Sequence, residues 1–185
     1  MNTRVRSLAF VLAAALLVGC GEGRAIFNVD VLSFLSSGGN YVVPYRFTSK
    51  GQIQAPPLRV SLLKGLGKST VQGVSLIVGA TGVTDSGAGT LVYDVHFSSS
   101  STGVYSDTTC AAGSFCVKQS KTLTAGDSLP FPLDSIPLAA DSIFGKDSIF
   151  VGVRVAGSPT TNPFKGRVRL TTLRLLIVLQ DNLFK

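Results

Sequence analysis

Apolar and polar residues alternate with a period of two along most of the chain beyond residue 24. Phe27, Val29, Val31 and Leu35 alternate with Asn28, Asp30 and Phe34, which predicts a strand over residues 25–35. The same pattern predicts strands over 41–47, 58–63, 71–78, 90–98, 115–123, 148–156 and 167–179. Pro44 marks the second of these as an edge strand or a bulged one. Segments rich in Gly, Ser, Asn and Pro at 36–40, 64–68, 79–89, 99–103 and 157–163 read as turns between them. One short helix is predicted over 137–144, capped by Ser135 and stopped by Gly145. Short strands at this spacing argue for an all-β fold, an antiparallel β-sandwich of Greek-key or jelly-roll type with about eight or nine strands. A transmembrane barrel is the competing answer. It calls for aromatic girdles, whereas aromatic residues are 8% of this chain.

The last predicted strand has a phase problem. Val168 and Leu170 share one face, while Leu173, Leu175, Ile177 and Leu179 share the other if the strand is regular. A bulge at Thr171-Thr172 brings both sets to the core side. Residues 175–179 are apolar on both faces, so this part of the strand is expected to be central or covered.

Composition narrows the chemistry. Hydrophobic residues are 45% and charged residues 15% of the 185 residues, enough to bury a core and far from a disordered balance. Twenty glycines, one histidine, no tryptophan and the single glutamate Glu22 leave little material for an acid/base site. A single glutamate and scattered aspartates give glycoside hydrolysis by paired carboxylates little support.

The N-terminus carries the most specific signal. Arg4 and Arg6 precede an unbroken apolar run over residues 8–18, and no acid occurs before Glu22, the layout of a secretory signal. The run is too short to span a bilayer. It ends in Leu17-Val18-Gly19-Cys20, which resembles the lipobox of bacterial lipoproteins. That resemblance covers this segment alone. It implies cleavage before Cys20, a diacylglyceryl thioether on its sulfur and acylation of its new amine, with palmitate-type chains holding the protein on a membrane. The implied organisation is a signal peptide over 1–19, a lipidated cysteine and tether over 20–24, and one β-sandwich domain over 25–185. Gly21 rather than Asp follows Cys20, which under the best-known sorting rule of that class favours the outer membrane over the inner. The implied location is the bacterial cell envelope.

With Cys20 lipidated, Cys110 and Cys116 remain as an even pair, and an oxidising compartment favours a disulfide between them. A zinc site needs about four ligands, and His96 is the only histidine, so no metal or cofactor is expected.

Other motifs are weaker. Gly65-Leu66-Gly67-Lys68-Ser69 has the ending of a P-loop, but position 62 is Leu where that motif needs Gly, and a strand pattern follows where it needs a helix. Asp94 and His96 share one strand face, and a serine beside them would suggest a hydrolase. No Gly-x-Ser-x-Gly elbow is present, so they read as a solvent-side pair. The Asp-Ser-Ile triplets at Asp134, Asp141 and Asp147 lack EF-hand spacing and read as caps and turns. No catalytic residue is assigned.

Removing Arg4 and Arg6 takes the net charge from +7 to +5. If residues 148–156 and 167–179 pair as a hairpin, Arg154, Arg167 and Arg169 form a solvent-side stripe with Lys165 nearby. Such a stripe suits anionic lipid, an acidic glycan or an envelope protein. Nucleic acid is not expected, because stacking aromatics are not interleaved with the cations. The sequence therefore points to a non-enzymatic, membrane-anchored structural or interaction module of the envelope. A carbohydrate- or ligand-binding sandwich is the alternative, and it would need a concave face lined by the few tyrosines. A serine hydrolase ranks below both.

Overall fold

The computed structural model describes residues 22–37, 41–62, 70–110, 115–131, 134–138 and 142–182. Its strands are β1 (Glu22–Asp30), β2 (Val42–Phe47), β3 (Gly51–Gln54), β4 (Leu58–Ser61), β5 (Thr70–Ser98), β6 (Cys116–Thr124), β7 (Ser128–Pro130), β8 (Asp134–Leu138) and β9 (Ser148–Asn182). All pair antiparallel. The fold is an antiparallel, sandwich-like all-β structure, as the alternation predicts.

Two very long strands organise it. β5 and β9 pair along nearly their whole lengths, from Thr70↔Gln180 to Ser98↔Phe150. The outer edge of β9 is lined in turn by β4, β3, β2 and β1, and that of β5 by β6, β7 and β8. The expected hairpin between residues 148–156 and 167–179 is therefore not formed: both segments belong to β9. The reason lies in the two turn-rich segments. Residues 84–89 of β5 face 159–166 of β9 through successive register shifts, so the ribbon bends there instead of reversing. Gly87 has φ +74°, and a Cβ on Gly87 or Gly89 would collide with backbone atoms of Thr161, Pro163 or Ser158. The bend folds one half of the sheet over the other. Gly82 of the first half accordingly faces Leu91 and Leu123 of the second, and the buried side chains of both halves form one core.

The bulge falls where the phase problem places it. Gly79 pairs with Thr172 and Ala80 with Leu170, leaving Thr171 unopposed. Val168, Leu170, Leu173, Leu175, Ile177 and Leu179 are then all buried. Residues 175–179 lie between β1 and β5, which explains why both faces are apolar. β2, with its exposed Pro44, pairs with β9 alone.

Helices differ from expectation. After β1 the chain turns into α1 (Val31–Ser37), where a continuing strand is predicted. Val31 and Leu35, four apart, fit the inward side of either element, and both are buried. Side-chain bonds from Ser33 Oγ to Asp30 O and from Ser36 Oγ to Ser33 O accompany the helical turns. Conversely, the predicted helix over 137–144 gives way to β8 and a 3₁₀ turn over Ser142–Gly145. Backbone groups of residues 74–78 on β5 need partners, and β8 supplies them. The turn inserts Phe144 beside Phe97 and Phe115.

Candidate functional site

Strand pairing builds a cationic outer face on the half of the sheet that begins at β1. Across β9 and its neighbours the outward positions form rows: Ile26–Val178–Gly73, Asn28–Leu176–Ser75 and Asp30–Arg174–Ile77. Beyond the bulge come Val42–Arg169–Thr81, Pro44–Arg167–Val83 and Arg46–Lys165–Ser86. The inward neighbours Phe27, Val29, Val43, Tyr45 and Val168 belong to the core or pack on it, so the cations point away from it. Lys165 and Arg169 are exposed and Arg167 is half-exposed, with an ion pair from Arg167 Nη1 to Asp85 Oδ1 at 3.4 Å. Three of the four residues of the anticipated stripe thus share one face.

Arg154 does not join them. It lies on the other side of the β9 bend, opposite Asp94, and is 4% exposed. Arg46 and Arg174, which the sequence reading passes over, take its place beside Lys165 and Arg169. The parity of β2 puts Arg46 outward, but its neighbour across the sheet is 119 positions away and only the register reveals it.

Around Arg154 the second half carries a buried ion cluster. Asp94 and His96 are 2% and 1% exposed, so the expected solvent-side pair is instead enclosed. Arg154 donates through Nε to both Asp94 carboxylate oxygens at 3.1 Å and through Nη2 to Oδ2 at 2.5 Å. His96 Nε2 lies 3.6 Å from the same Oδ2, an ion-pair distance longer than a hydrogen bond. Burial pushes the Asp94 carboxyl up, but His96 and Arg154 outweigh it and hold the group below its ordinary value of 3.8.

The cover is the segment after β5. Val104 and Tyr105 sit over Gly152, where a Cβ would come within 2.6 Å of both. Tyr105 packs edge-on against the His96 ring, centroids 5.2 Å apart. Its Oη donates to Ala55 O at 2.5 Å, with Val153 O a second acceptor at 3.2 Å. Burial is the main cause that pushes the phenol up to about 12. Asp107 Oδ1 then accepts from the backbone N–H groups of Thr109 and Cys110, turning the chain into the Cys110–Cys116 disulfide.

Arg154 engages both Asp94 oxygens, and His96 Nε2 stands 3.6 Å from Oδ2 without a hydrogen-bond partner among the described residues. Ligand atoms of His96, Cys110 and Cys116 lie within 4.8 Å of one another, but the disulfide occupies both sulfurs. The tyrosines do not assemble a sugar platform: Tyr45 and Tyr93 are buried, Tyr105 is the covering residue, and Tyr41 stands apart before β2. A cavity of about 330 Å³ over Arg154 is lined by Lys50, Gln52, Lys118 and Ser158 among others. Cys20, the tether residue Gly21, the P-loop-like segment over 65–69 and Asp141 lie outside the described residues. Among the described residues, no helix is long and apolar enough to cross a membrane.

No family model matches the chain, and no curated protein matches it. Likenesses to solved structures are distant. A structure of infectious bursal disease virus, Gx strain, overlays with a TM-score of 0.36 at 11% identity, covering 88% of this chain and 38% of that one. The VP2 subviral particle of the same virus gives 0.37 at 8% identity with the same coverage. TmCBM61 in complex with β-1,4-galactotriose gives 0.30 at 11% identity, covering 84% of this chain and 88% of that one. The chain spans 38% of the length of the two viral chains. Overlays this loose carry no argument about function.

Proposed function

We propose that this protein is a lipid-anchored module of the bacterial cell envelope, non-enzymatic, with a structural or interaction role. The observation that carries the reading is Leu17-Val18-Gly19-Cys20 at the end of an export-type leader. The start of β1 at Glu22 agrees with it. One residue separates Cys20 from the folded sheet, a reach of about 7 Å, so acyl chains on Cys20 keep the domain against its membrane. A disulfide at Cys110–Cys116 fits an oxidising compartment.

Detergent phase partitioning of wild type and Cys20→Ser tests it. Wild type goes to the detergent phase and the variant to the aqueous phase, and equal partitioning removes the anchor.

A further inference from the structure

The outer face of the first half is amphipathic along its length. At the end nearest residue 20, Ile26 is 71% exposed. It stands in one row with the half-exposed Val178 and with Gly73, beside which a Cβ would meet nothing within 4 Å. Leu176 lies in the next row and is also half-exposed. From Arg174 onward the face turns cationic through Arg169, Arg167, Lys165 and Arg46. Asp30 and Asp85 are the carboxylates beside these cations, and Asp85 engages only Arg167. An uncovered apolar patch with a polar rim marks a contact surface, and in this rim cations outnumber carboxylates.

We propose that this face lies flat on a bilayer containing anionic phospholipid, with Ile26 and Val178 at the acyl boundary and Arg174, Arg169 and Lys165 on lipid phosphates. The occupant follows from two features. Charge complementarity selects an anionic surface, and the apolar end adjoins the start of β1, two residues from the proposed acylation site, where that surface would be nearest. The proposal deepens the anchored reading by giving the domain an orientation. On the second half, Val104 and Tyr105 cover the outer face around Gly152, and a cavity over Arg154 interrupts it beyond them.

The test uses the chain from Gly21 onward, which keeps every core residue from Val31 to Leu179 and lacks Cys20, so its outcome is independent of acylation. It is mixed with phosphatidylcholine vesicles with and without phosphatidylglycerol. Binding is expected only with phosphatidylglycerol, weakening as salt rises. Lys165→Gln with Arg169→Gln and Arg174→Gln should weaken it by about fivefold for each cation, on the order of a hundredfold together. Lys118→Gln with Lys146→Gln, on exposed positions elsewhere, should change it little. Equal loss in both variants would reduce the effect to net charge and overturn the proposal, as would unchanged binding of the triple variant.

Orientation has its own readout, because the chain contains no tryptophan. Ile26→Trp should shift its emission to the blue and be quenched by brominated lipid, while Lys118→Trp should do neither. An unshifted Ile26→Trp on bound vesicles overturns the proposal even if the triple variant fails to fold. Failure of binding here, alongside detergent partitioning that requires Cys20, would leave the anchor standing and remove only the docked face.

Discussion

Asp94 and Arg154 face each other across β5 and β9, both almost fully buried, and Arg154 binds both carboxylate oxygens. Losing one partner leaves a buried charge uncompensated, whereas replacing both removes the desolvation cost as well. Arg154→Met or Asp94→Leu alone should therefore destabilise by about 3–5 kcal/mol, and the double replacement should be close to neutral. Urea unfolding of the cycle reads this directly, and additive losses would mean that the pair is not coupled.

The same cluster sets an acid limit. The folded-state pKa of Asp94 is depressed below 3.8, so its contribution is present above that value and is lost as pH falls through the lower, folded pKa. The melting temperature of wild type should drop in that window, and Asp94→Asn should flatten the dependence.

Tyr105 sets an alkaline limit with the opposite sign. Its folded pKa is raised from 10.0 to about 12, so its contribution is complete below pH 10 and is lost as pH climbs toward 12. Tyr105→Phe should reduce this alkaline loss, measured by thermal melts across that range. Tyrosinate absorbance should show that one phenol titrating late disappears with the substitution.

Much of the fold is legible in the alternation, because a period of two states which residues share a face. It does not state whether that face is wet. Asp94, His96 and Arg154 alternate correctly away from Tyr93, Val95 and Val155, yet they are buried, since the covering segment around Tyr105 has no periodicity to announce it. Turn chemistry has a similar ambiguity. Gly87, Gly89 and Pro163 signal a change of direction, and bending a paired ribbon satisfies that signal as well as reversing a single strand. Val31 and Leu35 fit a strand and a helix equally, so the alternation alone does not choose between them. Arg167 and Arg169 alternate away from Val168 and Leu170 as parity requires, although the hairpin expected to join them to Arg154 is not formed. Arg46 needs the nonlocal pairing of β2 with β9.

The bulge makes a sharp prediction. Deleting Thr171 restores a regular ladder and turns Leu173, Leu175, Ile177 and Leu179 outward, so the deletion variant should lose cooperative unfolding. Thr171→Ala keeps the bulge and, at an exposed position, should stay within about 0.5 kcal/mol of wild type. Comparable behaviour of the two would contradict the register.

The disulfide closes a small loop, with a sequence separation of six between Cys110 and Cys116. Replacing both by Ser should lower stability by about 2 kcal/mol, measured by urea unfolding against the oxidised wild type. The non-reduced peptide carrying both cysteines should weigh two hydrogens less than its reduced form.

Intact-mass spectrometry of the protein isolated from bacterial membranes tests the anchored reading most directly. The predicted mass is that of a chain beginning at Cys20 with a diacylglyceryl group and an amide-linked acyl chain, the acyl mass residing on the N-terminal peptide. A chain that retains Met1, or that begins elsewhere without added acyl mass, would contradict it.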